Sequence, residues 1–147
     1  MIIVPEYIIV HHSLTKDGKT VSRDNIEDYH VNVLGMDDIG YHFIIEQVEK
    51  RHQIFTGRMM NCHGAHCSQK HMNFCSLGIC FVGNFDKTVV PLEMWLLGIK
   101  LVVSLCQIFH IPAENVLGHR ELAGYKTCPG KNFDMEAFRR AIRENLK

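Results

Sequence analysis

The sequence predicts a layered α/β fold, and three observations predict it. Short apolar runs of strand length alternate along the chain with longer segments of helical periodicity, and strands interleaved with helices form layered α/β domains. The chain has 147 residues, 46% of them hydrophobic, which suits one sizeable core. No internal repeat or low-complexity linker divides it. We therefore expect residues 1–147 to form a single domain without a second module.

The first predicted element is a buried strand from Tyr7 to His11. The run is continuously apolar and ends in polar residues, which is typical of a strand covered on both faces. His11 and His12 therefore stand at a strand end. Because neighbouring strand residues point to opposite faces, only one of these two histidines can readily join a site there.

A helix is predicted next, with Ser22 as its N-cap. Ile26, Tyr29 and Val33 follow helical spacing, and Gly35 can end the helix. We expect this apolar side to cover one face of the sheet.

The remaining strands are predicted at 41–47, 52–56 and 78–82, because these segments are apolar and rich in strand-forming residues. A last helix, capped by Asp134, has Phe138, Ile142 and Leu146 on one side.

The most apolar stretch runs from Pro91 to Phe109 and approaches the roughly 20 residues of a membrane span. Lys100 lies at its middle, and a lysine at the centre of a membrane-spanning helix costs about 2.5 to 3.5 kcal/mol on insertion. We therefore predict a helix buried in a protein core, with Pro91 at its first position, and no stable membrane insertion.

Charge and cysteine content narrow the function classes. Sixteen lysines and arginines balance sixteen aspartates and glutamates, so the basic surface of a nucleic-acid binder is not expected. The amino terminus lacks a basic segment and is interrupted by Pro5, unlike a signal peptide. We expect synthesis in the cytoplasm, a monomer, and six reduced cysteines.

A loop near the carboxyl end carries two candidate metal ligands. The segment GHRELAGYKTCPG places His119 and Cys128 on either side of a short loop. Catalytic zinc typically takes three such ligands and a water, and the strand end at His11 and His12 is the natural source of the third. Any single histidine or cysteine is more often an ordinary core or turn residue, so this pattern alone leaves both interpretations open.

Several motifs, taken together in their order, are more specific than any one of them. The chain resembles the type 2 N-acetylmuramoyl-L-alanine amidases, the zinc amidases related to peptidoglycan recognition proteins. The matching segments are VHHS at 10–13, DIGYHFII at 38–45, GAHC at 64–67, NFCSLGICFVGNF at 73–85, GHRE at 118–121 and KTCPG at 126–130. The resemblance implies a central mixed β-sheet flanked by about three α-helices, in one amidase domain over residues 1–147 for which we expect no separate wall-binding domain.

The resemblance also implies an assignment for each matching residue. One zinc ion would be held by His11, His119 and Cys128, with Tyr41 and Lys126 as catalytic residues. Zinc lowers the pKa of water to about 7 and polarises a carbonyl. Lys126 would stabilise the oxyanion, and Tyr41 would orient the water or relay a proton to the leaving amine.

Further residues between 62 and 80 are assigned by position. His66 and Asn73 match residues of the family's substrate cleft. The other histidines and cysteines of this segment match no standard zinc module, so we expect a single metal site. Arg58 is left out of the site, because an arginine at a strand end is usually solvated.

The implied reaction is hydrolysis of the amide between N-acetylmuramic acid and L-alanine, with bacterial peptidoglycan or muropeptides as partner. Two alternatives stay open. Relatives that bind peptidoglycan without cutting it lose zinc ligands, typically the cysteine, whereas this chain keeps Cys128. A cytoplasmic enzyme that recycles released muropeptides would share all these motifs with an endolysin of a phage or prophage. Of these two, we favour the endolysin.

Overall fold

The computed structural model describes residues 2–15 and 21–147, and its centre is a five-stranded sheet. The strands are β1 (Tyr7–His12), β2 (Phe43–Val48), β3 (Arg51–Thr56), β4 (Ser76–Phe81) and β5 (Val116–Gly118). Their order across the sheet is β3-β2-β4-β1-β5. Among these five strands, the β2–β3 pair is antiparallel and the other pairs are parallel. The predicted mixed sheet is therefore confirmed.

The parallel strands all place their carboxyl ends at one edge of the sheet. β1 pairs with β4 on one side and with β5 on the other. In open α/β sheets, ligand sites lie outside this edge. β1 therefore delivers its last residues, and β5 the residue that follows it, to one place.

The first helix, α1 (Arg23–Asp28), begins where predicted and continues into a π-helical turn (Tyr29–Val33). The Ser22 hydroxyl accepts a hydrogen bond from the amide of Asn25, and Gly35 ends the segment with φ 74°. The predicted apolar side is wrong beyond the first turn. Tyr29 and Val33 are 52% and 65% exposed, because the π-turn rotates the residues after α1 away from 3.6-residue spacing. Only Ile26 of the three is buried.

The long apolar segment forms α2 (Leu92–Phe109), which begins one residue later than predicted, with Pro91 as N-cap. By length and composition this helix could cross a membrane, but one face packs on the sheet. Its buried residues are Met94, Gly98, Val102, Leu105 and Cys106. A Cβ on Gly98 would lie 2.4 Å from the Phe81 ring, so glycine permits this close contact. Other positions of the helix are exposed, among them Leu92, Leu96 and Ile108, which corrects the expectation of a helix buried in the core.

The last helix, α3 (Met135–Asn145), closes the core on the α2 side of the sheet. Asp134 caps it by accepting from the amide of Ala137 at 2.9 Å. Phe138 is fully buried, with its ring centroid 5.4 Å from Phe133 and 6.0 Å from Phe81. Such a large buried ring typically contributes about 3 to 5 kcal/mol. Within residues 2–15 and 21–147, the three α-helices agree with the expected number, and Ser22 and Asp134 cap α1 and α3 as predicted.

Candidate active site

Three potential metal ligands converge at the carboxyl edge of the sheet. His11 is the next-to-last residue of β1, His119 follows β5 directly, and Cys128 lies on the loop after it. One ligand atom from each lies within 4.8 Å of the other two. Within residues 2–15 and 21–147, this is the only group of three or more such ligands. The three side chains predicted to bind zinc are thus close enough to share one ion.

The two adjacent histidines of β1 have different surroundings, as strand alternation predicts. His11 Nδ1 lies 3.6 Å from the Cys128 sulfur. His12 points the other way, and its Nδ1 accepts from the amide of Phe85 at 3.1 Å. The His12 backbone amide donates to the Cys128 sulfur at 3.4 Å. His12 therefore supports the loop, whereas His11 faces the cluster.

Arg120 fixes the loop that carries Cys128. Its guanidinium donates to the carbonyls of Thr127, Gly130 and Phe133, the last at 2.6 Å. Its backbone amide also donates to the Cys128 carbonyl at 2.7 Å. Hydrogen bonds from a charged group contribute about 1.5 to 3 kcal/mol each. Arg120 thereby holds the turn in which Cys128 lies.

Asp86 holds the same loop from the opposite side. One carboxylate oxygen accepts from the Thr127 hydroxyl at 2.8 Å, and the other accepts from the amide of Lys131 at 2.9 Å. Residues on both sides of Cys128 are therefore anchored to the segment that follows β4.

Burial sets the protonation states of the three ligands. It lowers the pKa of His119 to about 4, with the charge of Lys126 acting in the same direction, and it lowers the pKa of His11 well below its usual value. Both imidazoles are therefore neutral at pH 7 and have a free lone pair. Burial raises the pKa of the Cys128 thiol to about 11, although the His12 amide and Lys126 oppose this. Metal binding would displace that proton, as thiolate ligation requires.

This donor set fits zinc. Two neutral imidazoles and one thiol are among the ligand types that zinc prefers, and three protein ligands leave one position open. With zinc bond lengths of about 2.05 and 2.3 Å, tetrahedral geometry separates a nitrogen and a sulfur ligand by about 3.6 Å. His11 Nδ1 and Cys128 Sγ have this separation.

Tyr41 and Lys126, the two predicted catalytic residues, lie beside the cluster. The Tyr41 ring centroid is 5.1 Å from that of His11. Burial raises the pKa of Tyr41 well above its usual value, and the Cys80 and Cys128 thiols add to this, so its hydroxyl stays protonated. The exposed Lys126 places its ammonium 5.7 Å from the Tyr125 ring centroid, at the rim of the cleft.

His66, predicted for the substrate cleft, contacts the cluster directly. Its Nδ1 lies 3.0 Å from His11 Nε2, and its Nε2 lies 3.5 Å from the Ser76 hydroxyl. Two glycines make room for this ring, since a Cβ on Gly64 or Gly78 would approach it to 2.4 or 2.5 Å. Burial lowers the pKa of His66 to about 3. His66 is thus a neutral partner of His11 as well as part of the cleft wall.

Asn73, the other residue predicted for the cleft, borders a neighbouring pocket of about 360 Å³. Its side-chain oxygen accepts from the backbone amides of His66 and Cys67, both at 2.8 Å. Asn73 therefore shapes the loop that carries His66.

The cluster forms the floor of a cleft of about 370 Å³ whose far wall is largely apolar. This wall, which the sequence patterns did not indicate, is supplied by α1 and the chain after it. It consists of Ile26, Tyr29, His30, Leu34 and Met36. The helical spacing assigned Tyr29 to the sheet face instead, and the exposed Leu34 gave no signal, because exposed apolar residues are common in every protein.

The structure corrects the prediction for Arg58, which is 6% exposed rather than solvated. Its guanidinium donates to the carbonyls of Ile39 and His63 and pairs with Asp37 at 2.8 Å. Arg58 therefore joins the segment before β2 to the loop after β3.

Comparison with known proteins agrees with this arrangement. A family model described as N-acetylmuramoyl-L-alanine amidase matches residues 3–131. The chain belongs to this family. The resemblance inferred from the sequence motifs is therefore confirmed.

Relatives of this chain include both recognition proteins and an endolysin. Peptidoglycan-recognition protein SC2 of Drosophila melanogaster is 31% identical over 86% of this chain and 68% of its own length. The endolysin of Escherichia phage T7 is 33% identical over 88% of this chain and 82% of its own length.

Solved structures show the same fold. N-acetylmuramoyl-L-alanine amidase LysC from Clostridium intestinale superposes with a TM-score of 0.81 at 26% identity, covering 99% of this chain and 88% of its own. A mutant of Drosophila PGRP-LB in complex with tracheal cytotoxin gives 0.73 at 29% identity, covering 92% and 80%.

Proposed function

We propose that the protein is a zinc-dependent N-acetylmuramoyl-L-alanine amidase that hydrolyses the amide bond between N-acetylmuramic acid and L-alanine in bacterial peptidoglycan. The observation that carries this proposal is the cluster of His11, His119 and Cys128 at the floor of a cleft. When bound there, zinc polarises a carbonyl oxygen and lowers the pKa of water to about 7. One zinc ion, held by these three residues, is the expected cofactor.

The chain supplies the remaining chemistry through two side chains. Attack on an amide carbonyl develops negative charge on its oxygen, and a fixed cation near that oxygen lowers the barrier. Lys126, at the rim above the ligands, is assigned this role. The protonated Tyr41 hydroxyl, beside His11, orients the attacking water or relays a proton to the leaving amine.

The cleft supplies the binding surface. His66 and Asn73 border the pocket next to the ligands, and we assign both to the substrate cleft. The apolar wall from α1 lines the same cleft and lowers the polarity around the reacting groups, where a fixed charge acts more strongly than in bulk water. Substrates are expected to be peptidoglycan or the muropeptides released from it.

A binding protein without activity is the second candidate, because relatives carry the name of recognition proteins. The retained Cys128, together with Tyr41 and Lys126, favours the enzyme. A binding module has no need for a thiol beside two neutral histidines in one cleft.

The deciding experiment measures release of alanine-linked peptides from purified peptidoglycan by native protein, chelated protein with and without added zinc, and Cys128→Ser. Cys75→Ser, a half-buried thiol outside the cluster, is the matched control. Activity that disappears on chelation, returns with zinc and is absent only in Cys128→Ser supports the proposal. Retained wall binding without release by the zinc-loaded protein would show a recognition module instead.

Similarity to a phage endolysin favours a lysin over a recycling enzyme. Faster cleavage of polymeric wall than of soluble anhydro-muropeptide is the expected result. The opposite preference would assign the protein to muropeptide recycling.

A further inference from the structure

The outer nitrogen of His119 has a specific partner. His119 Nε2 lies 3.2 Å from the side-chain oxygen of Gln69. An amide oxygen only accepts, so the imidazole nitrogen facing it must carry the proton. The lone pair of neutral His119 is then on Nδ1, the other ring nitrogen. This tautomer leaves Nδ1 available to bind a metal ion.

The other contacts of Gln69 support this orientation of its side-chain amide. The same oxygen lies 3.3 Å from the Cys67 sulfur, whose buried thiol is a donor. The amide nitrogen of Gln69 lies 3.1 Å from the Tyr125 hydroxyl, which can accept. If the amide were rotated by 180°, its NH2 group would face the Cys67 thiol, so that two donors would face each other. His119 Nε2 would then no longer find an acceptor for its proton.

The first histidine ligand has an equivalent arrangement. His11 Nδ1 faces the Cys128 sulfur, and its Nε2 lies 3.0 Å from His66 Nδ1. His66 Nε2 then lies within reach of the Ser76 hydroxyl. Both histidines thus have an outer nitrogen engaged by a protein acceptor, as metal-binding histidines typically do.

The loop that carries Gln69 is well fixed. Asn73 accepts from two backbone amides just before Gln69. Lys70 and His71, directly after it, both adopt left-handed conformations, with φ of 51° and 60°. This backbone directs Gln69 back toward His119, although the side chain comes from a loop and not from the sheet.

We propose that Gln69 is a positioning residue of the metal centre, which holds His119 in the tautomer and ring orientation that present Nδ1 to the ion. This inference rests on the proposed zinc site. Loss of an outer partner of a metal-binding histidine typically weakens metal affinity about 10- to 100-fold.

The test compares Gln69→Leu, which removes the acceptor, with Gln69→Glu, which keeps one. Zinc affinity is measured by competition with a chromophoric chelator, and the visible spectrum of the cobalt-substituted protein reports ligand geometry. We expect zinc binding by Gln69→Leu to weaken about 10- to 100-fold with an altered cobalt spectrum. Gln69→Glu should bind zinc at least as tightly as the native protein.

Two control variants separate positioning from general damage. Gln47→Leu removes an exposed glutamine whose amide bonds a turn carbonyl far from the cluster. Tyr125→Phe removes the partner of the Gln69 amide nitrogen but leaves the acceptor for His119. Both should bind zinc like the native protein, and the melting temperature of every chelated variant shows whether the fold is intact.

Three outcomes would overturn the inference. Gln69→Leu could bind zinc as tightly as the native protein with an unchanged cobalt spectrum, or Gln69→Glu could fail to restore binding. Either result would refute the role of Gln69 and leave the proposed function standing. A native protein that binds no zinc would refute the proposed function and this inference together.

Discussion

The strand side and the loop side of the metal cluster are held in different ways. His11 lies on β1, between two neighbouring strands, and pairs with Cys80 in the β4 ladder. Cys128 lies on a loop held mainly by the side chains of Arg120 and Asp86. Backbone hydrogen bonds between strands persist when most side chains change, whereas a loop held by side chains is lost when those side chains are replaced. The cluster therefore combines one ligand fixed by the fold with another fixed by specific residues.

The largest expected effect is loss of a ligand from either side. His11→Ala and Cys128→Ala should each reduce zinc affinity and amidase activity by more than the roughly 100-fold typical of an outer partner. Zinc content after dialysis and peptide release measure the two quantities. His110→Asn, an exposed residue at the end of α2, should change neither. Near-native zinc binding by one of the two alanine variants would mean that only one side matters.

Breaking the loop side alone should have the next largest effect. Arg120→Met removes the donors to three carbonyls and should cost about 3 kcal/mol of unfolding free energy. It should also weaken zinc binding, because the turn that contains Cys128 loses the hydrogen bonds that hold it. Urea unfolding of the chelated protein and chelator competition measure these effects. Arg140→Met, exposed on α3, is the control, and equal behaviour of the two variants would contradict the comparison.

A smaller change is expected when Asp86, the other residue that holds this loop, is replaced. Asp86→Ala loses the hydrogen bonds to Thr127 and Lys131 and should lower the unfolding free energy by about 1 to 2 kcal/mol. In the double variant with Arg120→Met, the two losses should not add, because both residues hold one turn. Strictly additive losses of unfolding free energy, measured by urea unfolding, would show that Asp86 and Arg120 act independently.

The smallest expected effect is a pH dependence on the strand side. His42 Nδ1 accepts from the amide of Gly78, and its Nε2 faces the Cys62 carbonyl. Burial lowers the pKa of His42, so below the ordinary value of about 6.5 the unfolded chain binds more protons than the folded one. Stability contributed by neutral His42 is therefore present above about pH 6.5 and falls as the pH drops below it.

Melting temperatures of the chelated protein at about pH 7.5 and 5.5, on either side of that pKa, measure this dependence. The decrease should be smaller in His42→Gln than in the native protein. Other buried histidines also contribute to the native decrease. Equal decreases in the two proteins would remove His42 from this explanation.

The ligands on both sides of the site could be predicted from the sequence, but the side chains that hold the Cys128 loop could not. Strand alternation limits the site to one of His11 and His12, and the structure brings His11 to the cluster. Helix caps at Ser22 and Asp134 follow from local chemistry. These features depend on residues close together in the chain, so the sequence pattern contains them.

Features that depend on distant parts of the chain could not be predicted in the same way. Arg58 was wrongly expected to be solvated, because its partners come from the segment before β2. The contact between Gln69 and His119 spans 50 positions and follows a loop with two left-handed residues, neither of them the glycine that this conformation favours. The π-turn after α1 likewise interrupts a regular apolar pattern.

The narrow slot around His66 limits how this sequence can vary. Glycine inside a buried strand is ordinarily a weak choice, and alanine would ordinarily improve it. At Gly78, the added methyl group would meet the His66 ring at 2.5 Å, and the displaced ring would lose its contact with His11. A substitution that strengthens the strand locally would thus disturb a metal ligand one strand away, so natural variants at this position are expected to keep glycine even where the surrounding strand changes.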